Sequence, residues 1–331
     1  MPVKNDFAHP FELAPIKPRG KPFNFVITKH TVRPMFSFLH RLFTEVVARF
    51  GITLPSLEVT DNLTRKDAAE QLMSVLSLMS ARFYDAPNAR TSFSPPPEFQ
   101  KWWNNPRCNF DMVITLLDFA YGMAIPNPRV LNKGRGNATY GEIQYPLLAH
   151  ILSVLKMSSS DVFLDMGSGI GQVVLYVAAM TDVRKGYGIE KDELPATLGF
   201  KQKEYFDGIM EYFKKEQKET QLFHKSFLSV IVEPIIYEAT VIFINNRKFD
   251  AVLTLALNRV LMKCKSGTRI VTSRKLVERT ESMKKRDKTQ GIITLDDVSE
   301  CDEIPKSDKI AEEQMVSWTA NGCAFYLTTM K

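Results

Sequence analysis

Hydrophobic positions change their spacing along the chain. In the first part, apolar residues recur at helical spacing over residues 35–50, 65–83 and 110–121, which predicts three helices. A short alternating stretch at 23–28 predicts an edge strand in the same part. Further on, short apolar runs alternate with longer helical stretches. The pattern therefore predicts a mainly helical N-terminal part followed by a mixed α/β part.

Strands and helices alternate from residue 142 onward. The predicted helices are 142–156, 172–180, 194–218 and 249–263, and the predicted strands are 162–165, 185–190, 241–245 and 269–272. Two later segments, 292–297 and 324–329, alternate as a closing antiparallel pair would. Strands that alternate with helices of this length fold as a parallel sheet with crossover helices. We therefore predict an α/β fold with a Rossmann-like sheet.

The change of pattern coincides with a segment rich in Pro, Gly and Asn. This segment, residues 126–141, has the composition of a linker. We place the domain boundary there, which gives a mainly helical N-terminal subdomain with its linker at 1–135 and an α/β domain at 136–331.

A glycine-rich turn follows the first predicted strand of the α/β domain. Asp165 ends the strand, and Gly167, Gly169 and Gly171 let the backbone turn tightly and approach a ligand. A dinucleotide fingerprint places its third glycine one residue later, where this chain has Gln172, and no Lys-Ser/Thr pair follows as in a P-loop. The spacing fits S-adenosylmethionine, which carries a sulfonium and an amino acid group but no phosphate.

A second acid supports a cofactor site. Glu190 ends the next predicted strand, at about the distance along the chain from Asp165 where an acid binds ribose hydroxyls. The alternative is a tight strand-to-helix turn with a solvated Glu190. Ligands of such sheets bind beyond the carboxyl ends of the strands, where Asp165, Glu190 and Asn245 lie.

Composition limits the class of protein. The 331 residues are 44% hydrophobic and 24% charged, which is typical of a soluble globular protein. No apolar run approaches the length of a membrane span, and the N-terminus lacks the apolar core of a signal peptide, so we expect a soluble intracellular protein with no membrane contact. The scattered cysteines and histidines indicate neither disulfides nor a metal site.

Charge is segregated near the C-terminus. The net charge is +6, and basic residues dominate between Arg274 and Lys288, whereas acids dominate over residues 296–313. Such segregation suits a partner with both signs of charge, although solvated loops would also carry it.

Six motifs, taken in order, resemble the disruptor-of-telomeric-silencing (DOT) family of non-SET histone lysine methyltransferases. They cover roughly residues 138–330. The motifs are Tyr140-Gly141-Glu142, Asp165-Met166-Gly167-Ser168-Gly169-Ile170-Gly171-Gln172, Tyr187-Gly188-Ile189-Glu190-Lys191, Phe227-Leu228, Val241-Ile242-Phe243-Ile244-Asn245-Asn246 and Val316-Ser317-Trp318-Thr319.

The resemblance implies a class I methyltransferase catalytic domain at 136–331 that uses S-adenosylmethionine. By this likeness, the cofactor-binding residues are Tyr140, Gly141, Glu142, Asp165, Gly167, Gly169, Gln172, Glu190, Ser226 and Phe227. Phe227 would stack on the adenine, and Tyr140 to Glu142 would fold over the cofactor. Asn245, Trp318 and Phe325 would line the channel for the substrate lysine.

Four residues depart from the family pattern near this site. Ser226 stands in place of an acid, Arg247 in place of an aromatic residue, Ile143 in place of a threonine and Phe325 in place of a tyrosine. A cation at Arg247 is unfavourable beside a sulfonium unless its side chain turns outward.

The first hypothesis is therefore a nuclear enzyme that methylates a lysine in the globular core of nucleosomal histone three. It would act as a monomer on the nucleosome, and the segment from Arg274 to Lys288 would contact DNA or an acidic histone surface. Two alternatives stay open: a catalytically weak chromatin-binding paralogue, and a methyltransferase for another protein or a small molecule.

Overall fold

The computed structural model of the chain divides into two compact units. One comprises residues 1–128 and 201–217, and the other comprises residues 129–200 and 218–331. The structure describes residues 8–13, 23–28, 38, 97, 101, 104–125, 127–133, 143–277, 280–308, 310, 315–316 and 323–331. The helices predicted at 35–50 and 65–83 lie outside these residues, apart from Phe38, which is helical. The domain boundary between 135 and 136 stays a prediction.

The first unit contains a two-stranded antiparallel ribbon and a buried helix. Strand β1 (Ala8–Leu13) pairs with β2 (Phe23–Thr28), which is the strand that the alternating pattern predicts. Helix α1 (Phe110–Ala124) extends slightly beyond the predicted end at residue 121. The side chain of Asn109 caps this helix by accepting a hydrogen bond from the Met112 amide at 2.9 Å.

The second unit alternates strands and helices as the sequence predicts. Its helices are α2 (Tyr145–Leu155), α3 (Gln172–Met180), α5 (Glu233–Glu238), α6 (Ala251–Leu261) and α7 (Glu281–Thr289). Its strands are β3 (Val162–Met166), β4 (Lys185–Glu190), β5 (Glu219–His224), β6 (Val241–Ile244), β7 (Arg269–Thr272), β8 (Ser299–Glu303) and β9 (Tyr326–Met330). Helix α4 (Glu193–Tyr212) begins in this unit and ends in the other.

The described strands of the second unit form one seven-stranded sheet in the order β5-β4-β3-β6-β7-β9-β8. The first five are parallel, and β9 and β8 close the sheet antiparallel. The chain winds outward from β3 to β5 and then returns to β6, so the order reverses between β3 and β6. Ligands of open α/β sheets bind at such a reversal. The prediction of a Rossmann-like α/β sheet is confirmed.

Two strands differ from the prediction, and both are edge strands. The helix predicted to reach residue 218 ends at Tyr212, and β5 follows it. The strand predicted at 292–297 is wrong, because Leu295–Asp297 is a 3-10 helix and the strand is Ser299–Glu303. Edge strands face solvent and carry polar residues, so neither shows the apolar run that marks the central strands.

The core of the second unit lies against the sheet. Strands β3 and β6 are buried along their whole length, as the apolar runs predict for central strands of a parallel sheet. Leu164, Ile189, Ile242 and Leu257 belong to one buried cluster. No described helix is both long and apolar enough to span a membrane.

Candidate active site at the carboxyl edge of the sheet

Backbone hydrogen bonds fix the glycine-rich turn between β3 and α3. The amides of Gly167 and Ser168 both donate to the carbonyl oxygen of Ile189 on β4, at 2.8 and 3.0 Å. The next bond, from the Gly171 amide to the Ser168 carbonyl at 2.8 Å, closes the turn. The turn is therefore attached to the neighbouring strand β4.

Glu190 ties the same turn to the end of β4 through its side chain. Its Oε2 accepts a hydrogen bond from the Gly169 amide at 3.0 Å, and its Oε1 accepts one from the Asp192 amide at 2.7 Å. Burial raises the pKa of Glu190, although these amide hydrogen bonds oppose the shift. Each carboxylate oxygen can accept a further hydrogen bond, so the group can still bind ribose hydroxyls. The Glu190 carboxylate is thus half-buried and bonded to the turn rather than fully solvated.

Asp165 is a buried acid at the end of β3. Only 3% of the Asp165 surface is exposed to solvent. Burial, and after it the negative charge of Glu190, raises the pKa of Asp165 to about 8. Two acids thus lie on adjacent strands, and a cationic group placed beside them would favour the ionised form of both.

The glycines of this region serve two different purposes. Gly167 has a φ of +90°, and a Cβ on it would meet no atom within 4 Å, so its outer side faces open space. Gly188 on β4 is crowded instead, because a Cβ there would lie 2.6 Å from Leu222 Cδ2 and 2.9 Å from Ser168 Oγ. The bare, open backbone at Gly167, beside the buried Asp165 and the half-buried Glu190, fits a cofactor with an amino acid group and a ribose but no phosphate.

Tyr145 on α2 contacts Gln172 at the start of α3. The Gln172 amide Nε2 donates to the Tyr145 hydroxyl, and the Tyr145 ring stacks on Tyr176 with centroids 5.4 Å apart. Gln172 follows Gly171, the N-cap of α3, and is the first residue of that helix. The helix therefore fixes the backbone position from which the Gln172 side chain extends. The sequence pattern does not identify Tyr145, because a single tyrosine at a helix start carries no motif.

The two asparagines after β6 have separate environments. Asn246 is buried, and its side chain accepts from the Arg274 amide at 2.9 Å and donates to the Arg274 carbonyl at 3.0 Å. Asn245 is less buried, and its Oδ1 accepts from Ser273 Oγ at 2.8 Å. Asn246 therefore holds the loop after β7, whereas Asn245 faces the more accessible side. Ser273 is a residue that the sequence reasoning missed, although its place after a predicted strand is a usable signal.

Phe227 and Ser226 lie in the loop after β5. Phe227 is buried, and its ring stacks on Phe249 with centroids 6.0 Å apart. Ser226 Oγ accepts a hydrogen bond from the Leu228 amide at 3.2 Å. The aromatic pair fixes the loop beyond β5, next to the strand that ends at Glu190.

Phe325 and Arg247 carry two of the departures from the family pattern. Phe325 is buried and stacks on Phe243 of β6 with centroids 6.1 Å apart. Arg247 is exposed, and its charge partly opposes the rise that burial causes in the pKa of the Cys323 thiol. The Arg247 side chain is thus turned toward solvent, the arrangement that avoids repulsion with a sulfonium.

Of the remaining predicted site residues, some belong to the described residues and others do not. Tyr140, Gly141, Glu142 and Trp318 lie outside them. Ile143 is described, and it forms an antiparallel bridge with Val316.

The basic segment after β7 contains α7. Its residues Lys284, Lys285 and Lys288 are exposed and line an open cavity of about 930 Å³. The side chain of Thr280 accepts from the Met283 amide and caps the helix, and Arg286 and Lys288 lie in its last turn, where they complement the helix dipole. This part of the chain is a positively charged surface.

Comparison with known proteins identifies the family of this chain. A model of the family described as "Histone methylation protein DOT1" matches residues 121–330. The chain is similar to a "Histone-lysine N-methyltransferase, H3 lysine-79 specific" of Caenorhabditis elegans, with 35% identity over 70% of this chain and 24% of that protein. It is similar to the Drosophila melanogaster protein of the same name, with 29% identity over 64% of this chain and 11% of that protein.

The chain thus spans a quarter or less of the length of these two relatives. Among solved structures, the chain is similar to an RNA methyltransferase from Salinibacter ruber in complex with S-adenosyl-L-homocysteine, with 21% identity, a TM-score of 0.30, and coverage of 38% of this chain and 73% of that one. The family model covers most of the second unit, including the glycine-rich turn, Glu190 and Asn245. The chain belongs to the DOT1 family of histone methylation proteins.

Proposed function

We propose that this protein transfers a methyl group from S-adenosylmethionine to a lysine in the globular core of nucleosomal histone three, and that it acts in the nucleus. The single observation that carries the proposal is the glycine-rich turn that Glu190 holds at the reversal of strand order. Family membership and the names of the relatives support the choice of a histone lysine as substrate.

The proposed cofactor contacts follow the carboxyl edge of β3 and β4. Glu190 would accept from the ribose hydroxyls, Asp165 and the backbone near Gly167 and Gly169 would face the amino acid group, and Gln172 would lie at its flank. Ser226 and Phe227 would border the adenine, and Tyr140, Gly141 and Glu142 would cover the cofactor. When bound, S-adenosylmethionine supplies a methyl group on a sulfonium that is already activated for displacement.

The protein's own contribution is to align a neutral amine. A free lysine has a pKa near 10.4, so only about one in a few thousand is neutral at pH 7. An apolar channel lowers that pKa because burial disfavours the ammonium. Asn245, held by Ser273, together with Trp318 and Phe325 would orient the amine, and alignment for an in-line displacement supplies most of the rate.

The nucleosome is the proposed partner, bound by the protein as a monomer. The segment from Arg274 to Lys288 would contact DNA or an acidic histone surface, because its exposed lysines release counterions on binding a polyanion.

A second candidate is a catalytically weak chromatin-binding paralogue. Phe325 favours it, because this buried side chain has no hydroxyl to offer the channel. Arg247 gives it little support, because its side chain is exposed and turned toward solvent.

The decisive experiment is transfer of a radiolabelled methyl group from S-adenosylmethionine to reconstituted nucleosomes and, separately, to free histones. Gly169→Arg is the blank, because its side chain would enter the turn that Glu190 holds. We expect label on nucleosomal histone three and none with the blank. No label, with cofactor binding retained in calorimetry, would favour the non-catalytic paralogue; label on another histone or on free histones alone would contradict the proposed substrate.

A further inference from the structure

Two segments of the second unit expose large apolar side chains. Val252 and Leu255 on α6 are 79% and 55% exposed, and Val230 and Ile231, between β5 and α5, are 74% and 67% exposed. Leu228 is also exposed, and we call these five residues the apolar strip. Single exposed apolar residues are common on protein surfaces, but a contiguous patch marks an interaction site.

The two segments lie side by side because they are joined at both ends. Phe227 stacks on Phe249 just before α6, with ring centroids 6.0 Å apart. Lys263 Nζ, just after α6, pairs with Glu233 Oε1 at 3.1 Å. The two ends of the segment from 227 to 233 therefore lie near the two ends of α6, which brings the exposed residues of the apolar strip to one part of the surface.

Helix α6 is apolar on its outer face as well as on its inner face. Leu257 and Leu261 are fully buried in the core. Val252, Leu255 and Arg259 follow one another at three- and four-residue spacing on the exposed side. A surface helix normally carries polar residues there, so the outer face has the composition of an interface.

Basic residues border the apolar strip. Arg247 and Lys248 lie before α6, and Arg259 and Lys263 lie near its end, all exposed. Two acids, Asp250 and Glu233, lie near them. Asp250 caps α6 by accepting from the Leu253 amide at 2.8 Å, and Glu233 pairs with Lys263. Lys263 and Glu233 offset each other, and Arg247, Lys248 and Arg259 outnumber Asp250, so the border of the apolar strip has a net positive charge.

We propose that the apolar strip docks an amphipathic helix of a partner protein, whose apolar face is flanked by acidic residues. Apolar side chains at helical spacing fit the helix-in-groove mode of recognition, and the basic border selects acidic flanks. A second copy of this chain is disfavoured, because a symmetric contact would bring two basic borders together. DNA is disfavoured, because it offers no apolar surface of comparable extent to cover the five side chains.

The test uses two synthetic helical peptides with the same three leucines at helical spacing, one flanked by Glu and the other by Lys. Their affinity for the full chain is measured by fluorescence anisotropy. We expect the Glu-flanked peptide to bind at least about tenfold more tightly, and its affinity to fall with salt. The double variant Val252→Ser with Leu255→Ser should weaken that binding by about tenfold or more.

The matched control removes exposed apolar side chains elsewhere. Leu194→Ser with Ile293→Ser does so at positions that are 46% and 66% exposed, and it should leave peptide affinity unchanged. Equal affinity for the two peptides, or equal binding by the two double variants, would overturn the proposal. So would sedimentation that shows a dimer lost in Leu255→Ser, or a DNA duplex that binds the wild type and not the Val252/Leu255 variant.

Discussion

The glycine-rich turn after β3 and the basic helix α7 differ in what holds them. The turn is fixed by backbone hydrogen bonds to Ile189 and by the carboxylate of Glu190. Helix α7 has exposed side chains from 282 to 286, and Asp287 is its buried residue among those described. The turn is thus built from backbone contacts, whereas α7 presents charge to solvent.

This difference separates the two halves of the proposed activity. A change at the turn moves backbone that a cofactor would contact within hydrogen-bond distance, so its effect should be large and insensitive to salt. A change on α7 alters a field that mobile ions screen over about 8–10 Å, so its effect should be smaller and salt-dependent.

The variant with the largest expected effect on the glycine-rich turn is Glu190→Gln. The amide keeps one acceptor oxygen but loses the charge, so we expect affinity for S-adenosylmethionine to fall by about 2–4 kcal/mol. Isothermal titration calorimetry measures this loss, with the exposed Glu204→Gln as the control. Equal affinity in the two variants would show that the Glu190 carboxylate does not contact the cofactor.

The asparagine pair gives the next largest effect. Asn246→Ala leaves the Arg274 amide and carbonyl without their partner in a buried place, so we expect the free energy of unfolding to fall by about 2 kcal/mol. Asn245→Ala should cost less than about 1 kcal/mol of stability while lowering methyl transfer. Urea unfolding of both variants measures the contrast, and a reversed order of stability would contradict the division of roles.

Charge reversal on α7 tests the other region. Lys285→Glu with Lys288→Glu should weaken nucleosome binding by about 1–2 kcal/mol and flatten its salt dependence, since each lost phosphate contact lowers the slope of log K against log salt by about 0.9. Affinity for S-adenosylmethionine should not change. Lys201→Glu with Lys265→Glu alters the net charge equally on other exposed lysines and is the control in the same gel-shift titration. Unchanged binding by the α7 variant would remove this helix from the contact surface.

The smallest effect is a pH dependence that Asp165 gives to cofactor affinity. Its pKa of about 8 means that the ionised fraction grows as pH rises from 6 to 8. A cationic amino group favours the ionised form, so affinity should rise over this window by up to about tenfold in total and level off above it. Asp165→Asn should flatten the profile, and an equally steep profile in that variant would assign the titration to another group.

The free energy of unfolding should change with pH in the opposite direction to cofactor affinity. An acid whose pKa is raised by folding binds more protons in the folded state than in the unfolded state, so the cofactor-free protein should lose stability as pH rises from about 4 toward 8. Thermal unfolding across this range measures the slope, and Asp165→Asn should reduce it.

The sequence by itself determined the central sheet and the chemical character of its edge. Apolar runs mark β3 and β6, because strands buried on both faces must be apolar throughout, and Asp165, Gly167 and Glu190 follow local rules of turn and strand end. Membership of the family, predicted from six short motifs, is confirmed by a match over residues 121–330.

The tertiary structure alone decided the contacts between residues that are distant in sequence. Polar edge strands β5 and β8 exist because the neighbouring strands supply their hydrogen bonds, so their own side chains carry little signal. Three features of the site also depend on the tertiary fold: the contact of Ser273 with Asn245, the contact of Tyr145 with Gln172, and the outward turn of Arg247. Pattern and propensity act within a few residues, whereas these pairings depend on how the sheet brings separate strand ends together.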